Sequence, residues 1–177
     1  MGQRKILKNL IVYFTFSIKN LTPTKLVKLI YLADLYHYRK HHCTISDVPF
    51  FSYHYGPWHP IIEQTVLEEC GELIEIESVQ TKKGEVIKIH KPKVKKTSIE
   101  FPRAEMFETL ESVIKEWGNV PTEKIIKYIK RNTPFIETKK GDTIDFMLVD
   151  TEFRESVEKA SKQAKDGKLE LKPLNEL

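Results

Sequence analysis

Glycine is scarce in this chain, with seven in 177 residues. Those seven never fall into Gly-x-Gly-x-x-Gly or the Walker pattern, so no backbone loop is built to cradle a phosphate. That argues against nucleotide hydrolysis and Rossmann-type redox chemistry. Cysteine is scarcer, at two residues. Cys43 and Cys70 lack a Cys-x-x-Cys spacing and read as reduced thiols, or at most one disulfide, which excludes a disulfide-stapled miniprotein. No Gly-x-Ser-x-Gly elbow marks a serine nucleophile, and nothing pairs either cysteine with a particular histidine. Long apolar runs are missing too. The stretch from Leu10 to Ile18 is too short to span a bilayer and has no small-residue cleavage site after it. The expectation is a soluble, cytoplasmic protein. There is no internal repeat and no low-complexity tract.

Charge of one sign is also lacking. Twenty-nine basic residues face 25 acidic ones, for a net charge of +4 and a pI near 8.9. Residues 1–71 carry a net +3, residues 72–102 a net +2 and residues 103–177 a net −1. A nucleic-acid binder concentrates positive charge more than this. What is present is ordinary: 40% hydrophobic and 31% charged residues. A chain of this size buries roughly two thirds of its unfolded surface, enough for a core without staples.

The order of residues predicts mostly helices. Leu7, Leu10, Ile11, Phe14 and Ile18 recur at helical spacing over residues 5–19. Thr22-Pro23 signals a second helix start, by a cap and a first-turn proline. Leu26, Leu29, Ile30, Ala33 and His37 share its inner face as it runs to His41, with Lys25, Lys28 and Asp34 on other faces. Residues 45–55 look extended, and Gly56-Pro57 closes them. Pro60 opens a third helix that Gly71 is placed to end. Ile74/Ile76 and Ile87/Ile89 alternate with charged residues around Thr81-Lys82-Lys83-Gly84, which reads as a hairpin with an acidic and a basic strand. Residues 91–102 read as a Lys/Pro-rich linker. Phe107, Leu110, Ile114 and Trp117 mark a fourth helix, and Ile125, Ile126 and Ile129 a short fifth. Phe153, Val157, Ala160 and Ala164 mark a last one. The fold class is α+β and mostly helical: a single domain of five to six helices with a small antiparallel β element over residues 1–166, then a tail at 167–177.

Chemistry-bearing clusters are few. His37 and His41 lie four apart on one helix and could serve, with a third ligand, a metal-dependent hydrolase. But Tyr38 stands where the metalloprotease helix needs its glutamate base. The stretch Tyr36 to His42 interleaves aromatics with cations and offers a nucleic-acid reading, by stacking and phosphate contacts. A plain amphipathic helix end explains the same residues. In Phe50 to Trp58, aromatics are too dense for all to be core, because alternation sends neighbours to opposite sides. Some of Tyr53, Tyr55 and Trp58 should be exposed, and Tyr and Trp are frequent interface anchors.

Two segments together resemble a known family. Thr22-Pro23-Thr24-Lys25-Leu26-Val27-Lys28-Leu29-Ile30-Tyr31-Leu32-Ala33-Asp34 is similar to the signature helix of the Panacea domain, the SocA-like antitoxin family. Phe51-Ser52-Tyr53-His54-Tyr55-Gly56-Pro57 resembles its second motif, and Ile125 to Phe135 its short helix ending in a Pro-aromatic pair. Trp58 departs from the small apolar residue usual there, and the hairpin is longer than in the shortest members. The resemblance implies a prophage-associated toxin–antitoxin component without catalytic residues, cofactor or metal. It would neutralise a cognate toxin from an adjacent gene by direct binding, or deliver it to a protease. On that footing Tyr31, Asp34, Tyr38 and Arg39 are expected to supply polar partner contacts, and Tyr53, Tyr55 and Trp58 the buried area. A competing role for Tyr31, Asp34 and Tyr55 is to bond to one another and fix the Gly56-Pro57 turn.

Overall fold

A computed structural model describes residues 2–95 and 97–150, together with Lys159 and Lys162. Among the described residues there are five α-helices and one hairpin: α1 (Gln3–Ser17), α2 (Pro23–His41), α3 (Pro60–Glu69), β1 (Ile74–Gln80), β2 (Val86–Pro92), α4 (Ala104–Trp117) and α5 (Thr122–Ile129). The fold is α+β and mostly helical. Of the helix expected around Phe153 to Ala164, Lys159 and Lys162 are described and both are helical, while its other residues and the tail at 167–177 lie outside the described residues.

The chain is organised around α2. Thr22 starts it, its hydroxyl accepting the Lys25 N–H at 3.2 Å, and Pro23 takes the first position, where no N–H is needed. Arg39, Lys40 and His41 in the last turn offset the negative end of the helix dipole, and His42 turns out of the helix at φ 53°. α1, α4, α5 and β2 all pack against this helix. The single inner face read from the sequence is therefore too narrow. Lys28, Tyr31 and Asp34 are buried along with Leu26, Leu29, Ile30, Ala33 and His37. A one-sided stripe describes a helix on the surface, whereas this one has neighbours on several sides.

The other helices follow their apolar spacing. α1 buries Leu7, Leu10, Ile11 and Phe14, and Ile18 just beyond its end is buried as well. α4 buries Met106, Thr109, Leu110, Val113 and Trp117, a stripe rotated from the expected one. Phe107 sits at its edge, in a ring cluster with Tyr13 and Phe101 at centroid distances of 5.7 and 4.9 Å.

β1 and β2 pair antiparallel with Glu75 opposite Lys91 and Glu77 opposite Ile89. The acidic and basic strands do interact, through an ion pair between Lys91 and Glu77. β2 runs on to Pro92, so the pairing takes in the first two residues of the expected linker. The His90 N–H donates to the Leu21 carbonyl at 2.7 Å and ties the hairpin to the α1–α2 junction.

Residues 45–59 form no regular strand: Asp47 sits at φ 54° and residues 54–57 turn. Phe51 and Trp58 exchange backbone hydrogen bonds of 2.9 and 3.1 Å, closing a loop across Gly56, which sits at φ +90°. Loop 141–144 braces the outer side, with Ser52 N–H to Asp142 O at 2.9 Å and Ile144 N–H to Phe50 O at 2.7 Å.

Candidate binding groove

Three α2 side chains, spaced three residues apart, hold the 45–59 segment. Asp34 is fully buried, and one of its oxygens accepts the Ile45 and Ser46 N–H groups at 2.8 Å each. The Ser46 hydroxyl donates to its other oxygen. Burial pushes the Asp34 pKa up to about 7, against the pull of those three donors. Tyr31 packs edge-on against the buried Phe50, with centroids 5.4 Å apart. Lys28 reaches the far end, where its ammonium donates to the Pro57 carbonyl at 2.7 Å.

This scaffolding leaves a groove of about 610 Å³ between the start of α2, the 53–59 turn, α3 and the hairpin. Leu26, Val27, Ile62 and Val66 form its apolar walls, and Leu67 and Ile76 add exposed apolar surface. Tyr53, Tyr55 and Trp58 also line it, and they are 52%, 67% and 41% exposed. The volume and mostly apolar lining with a few polar groups are those of a recognition site. Its polar members are held in place. His59 caps α3, its Nδ1 accepting the Ile61 N–H at 3.1 Å, while its ring stacks on Phe51 at 5.2 Å. Burial lowers the pKa of His59 and of His90, with Glu63 opposing the shift at His90. Burial lowers that of Lys28 to about 8, and repulsion from Lys130 adds to it.

The structure thus divides the seven residues expected to meet a partner. Tyr53, Tyr55 and Trp58 come together in the groove. Tyr31 and Asp34 are interior and offer no surface to a partner. They do not bond to Tyr55 either. Asp34 anchors residues 45–46, and it is Lys28 that secures the Gly56-Pro57 turn. Tyr38 and Arg39 lie at the other end of α2, about 16 Å along the axis from Lys28. There the Tyr38 hydroxyl donates to Asp150 at 3.2 Å. Lys28, Ile62, Val66 and Ile76 belong to the groove and were not singled out by sequence. Lys28 carried one signal: a cation inside an almost unbroken apolar helix.

The other two constellations are differently engaged. In the 36–42 stretch, Tyr36 donates to Glu116 at 2.8 Å, Lys40 lies 3.5 Å from Glu108, and His42 lies 3.1 Å from Asp150. Carboxylates so placed offset the charge that a phosphate backbone would need. The His37 and His41 rings do meet, at 4.5 Å. Among the described residues, however, no group of three or more His, Cys, Asp or Glu side chains is placed to hold a metal ion. Among the same residues no helix is long and apolar enough to cross a membrane.

Comparison with known proteins adds one finding. The family model for the antitoxin SocA-like, Panacea domain matches residues 26–135, more than half of the chain. That interval holds most of α2, the aromatic turn, α3, the hairpin and α5. No curated protein and no solved structure matches.

Proposed function

The chain belongs to the antitoxin SocA-like, Panacea domain family, and from that premise we propose that it neutralises a toxin from an adjacent gene by binding it directly through the groove face. The observation that carries this reading is the gathering of exposed aromatic and aliphatic side chains around one groove: Tyr53, Tyr55 and Trp58, with Leu67 and Ile76 beside them. Clustered apolar exposure of this kind marks interaction surfaces, and Tyr and Trp lose little entropy on docking. The mechanism is occlusion. A toxin segment seated in the groove is withdrawn from its own substrate, and no bond is made or broken by this chain.

Co-expression tests the reading. The adjacent gene should be toxic alone, its toxicity should be relieved by this chain, and the two products should co-purify. A harmless neighbour with no co-purifying partner would sink the proposal. Toxin abundance separates occlusion from delivery to a protease. Occlusion leaves the toxin level steady in rescued cells, whereas delivery lowers it and fails in a protease-deficient host.

A further inference from the structure

Lys28 sits in an unusual place for a cation. It is 2% exposed, and among the described residues its ammonium has a single acceptor, the Pro57 carbonyl at 2.7 Å. Among the described residues no carboxylate lies within 4 Å of it to form an ion pair. An ammonium carries three donors, and burying it without a counter-charge is costly. Lys28 is nonetheless one of the residues that line the groove. Gly56 lies next to it in the wall. A Cβ at that position would stand 3.1 Å from Lys28 Cε and 3.5 Å from Nζ, so a side chain there would crowd the lysine head. Glu63 is the one acidic residue in the lining, and Lys88 is a second cation.

We propose that the groove accepts a partner segment bearing a glutamate or aspartate side chain flanked by apolar residues, with the carboxylate pairing to Lys28. This rests on the reading of the groove as the toxin-binding face. The carboxylate takes up the free donors of the ammonium and supplies the missing counter-charge. The flanking side chains fill the walls made by Leu26, Val27, Ile62 and Val66. The lowered pKa of Lys28 is consistent with this, since the empty groove leaves the charged form under-stabilised. A nucleic-acid strand fits less well, because a phosphate backbone asks for a track of cations and the groove is mainly apolar.

The test compares two capped peptides, acetyl-Leu-Glu-Leu-amide and acetyl-Leu-Gln-Leu-amide, titrated into the full chain and followed by amide and indole NMR shifts. The Glu peptide should shift Gly56 and the Trp58 indole and bind about tenfold more tightly than the Gln peptide, the worth of one charge-assisted hydrogen bond. In Lys28→Met, which keeps an apolar stem of similar length, that preference should vanish. Equal binding of the two peptides in the groove overturns the carboxylate assignment and leaves the docking face standing. Failure of both peptides to shift groove residues also overturns the assignment, while the docking face is then decided by the co-expression experiment. The comparison of the two peptides needs no variant, so it decides the matter even where Lys28→Met does not fold.

Discussion

Two interior residues of α2 show how a buried polar group can weigh on either side of stability. Tyr31 is 1% exposed, and among the described residues its hydroxyl has no hydrogen-bond partner. Its ring holds Phe50, but its oxygen has lost water for nothing. Tyr31→Phe keeps the ring and should be neutral or stabilising, by up to about 1 kcal/mol in chemical denaturation. A loss above about 1 kcal/mol would mean that the hydroxyl has a partner after all. His37 acts in the opposite sense. The Thr109 hydroxyl donates to the Glu105 carbonyl at 2.9 Å, so its oxygen accepts the His37 Nδ1–H at 3.0 Å and leaves Nε2 buried with no partner among the described residues. Burial first, then repulsion from His41 and Arg103, hold the His37 pKa down to about 4. In the unfolded chain the ring takes a proton near pH 6.5. The folded state therefore binds fewer protons between those values, and the stability present above pH 6.5 is lost as pH falls through about 4. His37→Gln removes that linkage. Between pH 7.5 and pH 4.5 the unmodified chain should lose about 1–3 kcal/mol more than His37→Gln, read from urea midpoints at each pH. Parallel losses in both proteins would show that His37 protonates freely when folded.

At the scale of elements, local pattern was enough to expect all five described helices and the hairpin. Thr22-Pro23 and Pro60 sit at real helix starts, and the Ile74/Ile76 and Ile87/Ile89 alternation belongs to real strands. These signals act through neighbours a few residues away, so they survive in the sequence. What could not be read was how many sides of α2 are covered, because that depends on α1, α4 and α5 arriving from distant parts of the chain. The same blindness misplaced Asp34. Its partners at residues 45 and 46 are held by backbone N–H groups, which every residue but proline has and no composition reveals. Asp34→Ala would leave those two N–H groups and the Ser46 hydroxyl without their carboxylate. The expected cost is about 1–3 kcal/mol for each of these donors that stays buried and unsatisfied. Amide exchange should rise first at Ile45, Ser46 and Phe51. Retention of native protection at these three amides would contradict Asp34 as the anchor of the segment that leads into the aromatic turn.

For the molecule as a whole, the groove belongs to no single element, and so it was only partly legible. The excess of aromatics between Phe50 and Trp58 was visible as a surplus the core could not absorb, and Tyr53, Tyr55 and Trp58 are indeed exposed. Their opposite wall was not visible, since Ile62, Val66 and Ile76 look like ordinary core positions until α3 and the hairpin close on the start of α2. This assembly separates binding from folding. Tyr55 is 67% exposed, so Tyr55→Ala forfeits little packing and should change unfolding free energy by less than about 0.5 kcal/mol. Leu110 is fully buried in α4, away from the groove, and Leu110→Ala should cost about 2–5 kcal/mol through the cavity it leaves. Toxin affinity, measured on purified partners below the temperature at which either variant unfolds, should run the other way. Tyr55→Ala should weaken it by about 2 kcal/mol, near thirtyfold, while folded Leu110→Ala should bind as the unmodified chain does. If Tyr55→Ala binds unchanged and partner affinity instead follows stability across the two variants, the partner is seated elsewhere, and the exposed aromatics around the groove answer to something other than the toxin.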